Sequence, residues 1–284
     1  MHRLLLAAIA ALCTLSNAAR AQAPEADPAP PAGKLAEWPS LPKADRDRAR
    51  ATLKQLRKDK QALRDAASTK LVAMGAGVAP ILIAHVSDKA QNVNAQLFEI
   101  LDQVVTPQHL SLLARELKRK SVACRRYLMQ RIAREVDPDM RPVLTARLGD
   151  KDTDIAFYAS LGALALGDGD GLDAVLAVAR QRWSEQQRLI SATLTRARTK
   201  ELSLMVWERI AQARATDKMA GLRLLRHLAT LDQKTLLRAH LESPDFTVKR
   251  EAINTARVLH GEAPLEKLSS FQAINLAKQW LQKL

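Results

Sequence analysis

Apolar residues return along this chain at a fixed interval of 31 positions. Leu82, Leu113, Leu144, Val175, Val206 and Leu237 make one column, and Val86, Leu117, Leu148, Ala179, Ile210 and Leu241 make another four residues on. A separation of four puts both columns on one stripe of a helix. Further into the interval two more columns follow, again four apart: Leu97, Leu128, Ala159, Ile190, Gly221, Ala252 and then Leu101, Ile132, Ala163, Leu194, Leu225, Ala256. They predict a second helix, whose mixture of large and small residues lets neighbouring helices interdigitate. Two helices of about 12 residues and two short turns fill the interval. The pattern predicts an all-α chain, a right-handed α-solenoid of stacked helix pairs with a 31-residue repeat, over residues 45–284.

The ends of the pattern are less regular. Leu53, Leu56 and Leu63 mark an amphipathic face that Asp45 can cap, and Ala67, Leu71 and Met74 a second helix that stops at Gly75 to Gly77. Turns fall at Ser87 to Ala90, Gly149 to Asp152, Gly167 to Gly171 and Ser243 to Phe246, and Pro80 and Pro142 stand at the same position of two first helices, where a missing N–H does no harm. The phase is lost after Leu259. Ser269 to Leu284, with Phe271, Ile274, Trp280 and Leu281, predicts a closing helix over the last open face.

Residues 1–21 stand apart, with Arg3, an apolar run from Leu4 to Leu15, and Ala19 and Ala21 around Arg20: the pattern of a secretory signal cut after Ala21. It places the protein outside the cytoplasm, periplasmic or extracellular in a bacterium, with no transmembrane segment in the mature chain. Residues 22–44 hold six of the twelve prolines and read as a Pro/Ala-rich linker, with Trp38 packing on the first repeat as a staple. Cleavage leaves one cysteine, Cys124, at the position of Val93, Ile155 and Val248, which makes it a small buried hydrophobe. It also leaves 42 basic against 30 acidic residues, a surplus of 12 that suits anionic partners.

The segments VAPILIAHVSDKAQNVNAQLFEIL, MRPVLTARLGDKDTDIAFYASLGALALGD and LLRAHLESPDFTVKREAINTARVL each carry an apolar helix, an aspartate turn, then spaced Ala and Leu. In this the chain resembles the HEAT-repeat superfamily, and specifically the short HEAT-like repeats of the phycocyanobilin lyase group. It departs from that pattern in the middle, where Arg119, Gln181 and Gln212 replace the turn aspartate and Gln186 and Asp217 the buried valine, so these units are expected to be looser. The superfamily includes scaffolds, transport receptors and a few enzymes, so the resemblance implies a fold and leaves function open.

Catalytic signatures are missing. The six histidines are scattered, no H-E-x-x-H or cysteine pair occurs, and no G-x-S-x-G is present, so no catalytic residue, metal or cofactor is expected. Iron-dependent hydroxylases built on similar repeats use His-Glu dipeptides, and this sequence has none. The GDGDG run at Gly167 lacks the P-loop lysine and the EF-hand ligand series and reads as a turn.

Arginine is what rises above the background. With Leu97 and Leu101 inward, positions 95, 99 and 102 point away, and with the flanking column at 103 they collect Arg126, Arg134, Arg188 and Arg196, then Arg223, Arg226, Arg250 and Arg257. Among these columns the acids are Glu99 and Asp102, both in the first full repeat. The resemblance implies that second helices line a concave surface, which makes this a basic groove with Tyr127, Phe157 and Tyr158 beside it. The expected function is an exported, non-enzymatic scaffold holding a protein partner or acidic ligand in that groove, with docking nearer the C-terminal repeats. Two alternatives stand beside it: a binder of nucleic acid or acidic glycan, the former disfavoured by export, and an enzyme resembling the bilin lyases.

Overall fold

In a computed structural model the described residues are 35–284. The expected signal at 1–21, and the linker up to residue 34, lie outside them. Fifteen α-helices follow one another without a strand among the described residues. The first five are α1 (Lys43–Leu53), α2 (Gln61–Val72), α3 (Ala79–His85), α4 (Gln91–Val104) and α5 (Leu110–Glu116). Next come α6 (Val122–Glu135), α7 (Arg141–Thr145), α8 (Thr153–Ala165), α9 (Leu172–Gln181) and α10 (Trp183–Arg196). The last are α11 (Lys200–Ala211), α12 (Ala215–Leu228), α13 (Arg238–Leu241), α14 (Phe246–Leu259) and α15 (Ser270–Lys283). No single helix among the described residues is long and apolar enough to cross a membrane.

Short polar side chains start five of these helices, α6, α8, α11, α14 and α15, by accepting from orphan N–H groups of the first turn. Asp152 takes the amides of Asp154 and Ile155, Asp245 those of Thr247 and Val248, and Thr199 that of Leu202. Asp88 works across units: its carboxylate accepts from Ser121 Oγ and from the Ala123 amide, both at 2.8 Å, tying the turn after α3 to the start of α6. Those bonds, that of the amide first, hold its carboxyl below the usual aspartate range. At Gly167 the chain turns with φ +84°, Asp168 accepts from the Asp170 amide, and a Cβ on Gly171 would stand 2.3 Å from the Ser160 carbonyl oxygen. The GDGDG run is a turn pressed against α8.

Burial follows the columns. Leu82, Leu113, Val175, Val206 and Leu237 are fully enclosed, as are Leu97, Leu128, Ile190 and Ala252 and the whole set Leu101, Ile132, Ala163, Leu194, Leu225 and Ala256. Gly221 shows why small residues are needed among them, since a Cβ there would meet Ile210 Cγ2 at 2.3 Å. Bulk on α11 is thus fitted to its absence on α12. Cys124 is enclosed too, and burial pushes its thiol up to about 11, so it packs as a hydrophobe. At the valine position of the middle units Asp217 is held by Arg180 at 2.5 Å.

Three edges differ from expectation. Helix α1 starts at Lys43, and Asp45 pairs with Arg48 in its first turn without capping. Leu63 is exposed, because α2 turns Ala67 and Leu71 inward. Helix α15 docks through Ala273, Ala277 and Trp280, leaving Phe271 74% and Ile274 45% exposed. It closes the stack with small residues and one large ring.

Residues 35–39 are fixed against the body. The Leu35 amide donates to Gln108 O, while Ser111 Oγ and Arg115 Nη1 donate to the carbonyls of Leu35 and Ala36. Trp38 stacks on His109 just before α5, centroids 5.3 Å apart, and Pro39 O lies 2.9 Å from where a Gly77 Cβ would stand. The staple therefore reaches beyond the first helix pair. All four tryptophans rest against a histidine: Trp183 on His227, Trp207 on His240 and Trp280 on His260 complete the set.

Candidate functional site

Near the C-terminal end, α10, α12, α14 and the loop at 260–266 enclose a cleft. Residues four apart on a helix share a face, so α10 contributes Trp183, Gln187, Arg188 and Ser191, α12 contributes Arg223, Arg226 and His227, and α14 contributes Arg250, Glu251, Asn254 and Val258. After α14 the chain reverses at Gly261, φ +78°. Its loop is pinned back onto α14: Asn254 Nδ2 donates to Leu265 O at 3.1 Å, the Leu265 amide donates to Asn254 Oδ1 at 2.8 Å, and Arg257 Nε donates to Ala263 O at 2.7 Å.

The cleft has two chambers. One of about 680 Å³ is bordered by Trp183, Val258, Ala263 and Pro264 together with Arg188, Ser191 and His227. The other, about 470 Å³, is bordered by Arg223, Arg226, Arg250, Glu251, Asn254 and Glu266. Trp183, Gln187, Arg226 and Pro264 border both.

Glu251 is the centre of the second chamber. It is 4% exposed and takes three guanidinium groups: Arg226, Arg250 at 3.1 Å and Arg223 at 3.5 Å. Three cations share this one buried anion; Arg223 and Arg226 are largely buried with it, while Arg250 is 31% exposed and Glu266 also borders the chamber. Arg226 is 9% exposed and its Nε has no hydrogen-bond acceptor, while the Nε of Arg223 reaches Glu251 Oε1 only at 3.5 Å. Buried donors without acceptors, like buried charge without counter-charge, are costly. Part of that cost is met by Trp183, whose ring lies 5.5 Å from the Arg223 guanidinium and 6.0 Å from that of Arg226. Arg223 Nη1 also donates to Ala179 O at 2.6 Å. Burial, with the neighbouring Arg223 and Arg250 charges, pulls Arg226 down to about 10. An anion entering here would relieve that repulsion.

In the first chamber His227 Nδ1 lies 3.2 Å from Ser191 Oγ, and burial, then Arg226 and Arg198, push the imidazole down to about 4. It is neutral at physiological pH and offers hydrogen bonding without charge.

The remaining arginines of the sequence pattern go elsewhere. Arg126 is clamped by Asp152 and Asp154, Arg134 by Asp102, Arg196 by Glu135, and Arg257 by Glu262. Arg188 has no salt bridge among the described residues and borders the cleft. The aromatics lie inside: Phe157 is 2% exposed, Tyr158 is buried, and Tyr127 stacks flat on Phe98 at 4.3 Å with its hydroxyl 3.1 Å from Asp102. They present no open ring to a groove. Among the described residues, no group of three His, Cys, Asp or Glu side chains is arranged to hold a metal ion.

No family model matches the chain, and no curated protein matches it. Among solved structures it matches that of human deoxyhypusine hydroxylase in complex with glycerol at 16% identity, over 84% of this chain and 96% of that one, with a TM-score of 0.34. That structure is of an enzyme, in contrast to the non-enzymatic protein-binding scaffold expected from the sequence, and that expectation is not carried forward. At this level of similarity the match brings no activity to the chain.

Proposed function

We propose that this protein binds a small anionic ligand in the cleft between α10, α12 and α14. The observation that carries the reading is the cluster around Glu251, where three arginines meet one buried carboxylate at the wall of a chamber. Phosphate and carboxylate are the groups that guanidinium forks match. The test is isothermal titration with inorganic phosphate and with acetate, on the wild type and on Arg226→Gln. Saturable binding of at least one anion, weakened about tenfold or more in the variant, is expected for loss of one charge-assisted contact. Absence of binding by both anions, or equal binding by the variant, overturns the reading.

The frame around this site is proposed to be a right-handed solenoid of HEAT-like 31-residue repeats. Supporting it, α4, α6, α8, α12 and α14 begin at residues 91, 122, 153, 215 and 246. Export is proposed from the leader-like residues 1–21. N-terminal sequencing of the protein from its producing cells should then start at Gln22, and a start at Met1 would exclude cleavage.

A further inference from the structure

We infer that the ligand is an amphiphile: an anionic head held by Arg223, Arg226 and Arg250, joined to an apolar body that lies in the adjoining chamber. The inference rests on the anion-binding reading above and goes beyond it, because it uses the other half of the cleft. The two chambers are not separate pits. Trp183, Gln187, Arg226 and Pro264 border both, so a molecule seated on the arginines has the larger chamber directly beside it.

That chamber sets apolar wall beside the arginine cluster. Its walls include Trp183, Val258, Ala263 and Pro264, while Glu262 stands on its rim, paired with Arg257 at 2.9 Å. Its polar side chains are the uncharged Gln187, Ser191 and His227, the last two paired with each other, and the charged Arg188, Arg226 and Glu262. A volume of about 680 Å³ falls within the range that accommodates small organic ligands. In the charged chamber, by contrast, the one deeply buried carboxylate, Glu251, is outnumbered three to one. Apolar surface next to an uncompensated cationic pocket is the arrangement that fits an aryl or acyl phosphate or carboxylate. An inorganic anion alone would leave the larger chamber without a purpose.

The test compares inorganic phosphate with phenyl phosphate by isothermal titration, on the wild type and on Ala263→Trp. Ala263 borders the apolar chamber from the loop and its backbone carbonyl keeps the bond from Arg257, so an indole there competes with the body for that chamber. Phenyl phosphate should bind the wild type about tenfold or more tightly than phosphate, by burial of the ring. The variant should lose that advantage. Equal affinity for the two probes in the wild type, or an advantage that survives in the variant, overturns the inference and leaves the anion site standing. If neither probe binds, the anion-binding reading itself fails, and the inference with it.

Discussion

Asn254 holds Leu265 by both ends of one amide group, its nitrogen donating to the Leu265 carbonyl and its oxygen accepting from the Leu265 N–H. This two-point clasp gives an otherwise irregular loop a fixed position over the cleft, as a strand partner would. Asn254 is 4% exposed, so water does not compete for these bonds.

Asn254→Ala should cost about 2 kcal/mol, from two hydrogen bonds of roughly 1 kcal/mol each. Urea denaturation measures the loss, and amide exchange locates it: protection of the Leu265 N–H should fall while that of Leu225 in α12 stays. Unchanged protection at Leu265 would contradict the assignment of the clasp.

Glu251→Gln removes the carboxylate that three guanidinium groups share. Uncompensated buried charge of this kind destabilises by about 3 kcal/mol or more. Because the remaining cations then lack any counter-charge, sulfate should restore stability to the variant by a larger increment than it adds to the wild type. Denaturation curves with and without sulfate decide this, and equal increments would show that the cluster does not carry its excess charge into the cleft.

Acid should weaken the fold in two steps with different owners. His227 and His240 are held near 4 by burial, well below the 6.5 of an exposed imidazole, so they stay neutral in the folded chain while the unfolded chain takes up their protons. Their contribution is complete above about pH 6.5, declines as pH falls from 6.5 to 4, and levels off below. The carboxyls of Asp88 and Asp152 are depressed, Asp152 chiefly by its bond from Arg126, so their contribution is lost only further down, below the usual aspartate range. Thermal melts from pH 7 to 4 should decline, and the decline should flatten in His227→Gln/His240→Gln. A slope unaltered by the double substitution would assign the loss to other groups.

Recurrence made the core legible from sequence. Leu101, Ile132 and Leu194 could be named as buried because five other residues at their interval said so, and Cys124 inherited its place from Val93 and Val248. What does not recur escaped. Glu251 stands in a column with Gln96, Tyr127, Tyr158, Leu189 and Ala220, which share no property that would mark it out. The arginines were visible in their columns, but apart from Asp102, the partner of Arg134, their counter-charges sit outside them: Asp152 and Asp154 at a turn, Glu135 one position beyond, Glu262 in a loop past the end of the phase. Tyr127 and Phe157 lie on the flanks of their helices, where contact with the next helix decides burial and a single-helix projection does not. The signal for the cleft lay in Arg188, Arg223, Arg226 and Arg250, in Trp183 preceding Arg188, and in the break after Leu259.

The loop at 260–266 also sets when the cleft comes into being. A polypeptide made from its N-terminus can stack α10 and α12 early, yet Asn254 has nothing to clasp until Leu265 arrives, and Glu251 reaches its arginines only with α14. Until that loop has been made, α10 and α12 can stack with no enclosed cleft beside them.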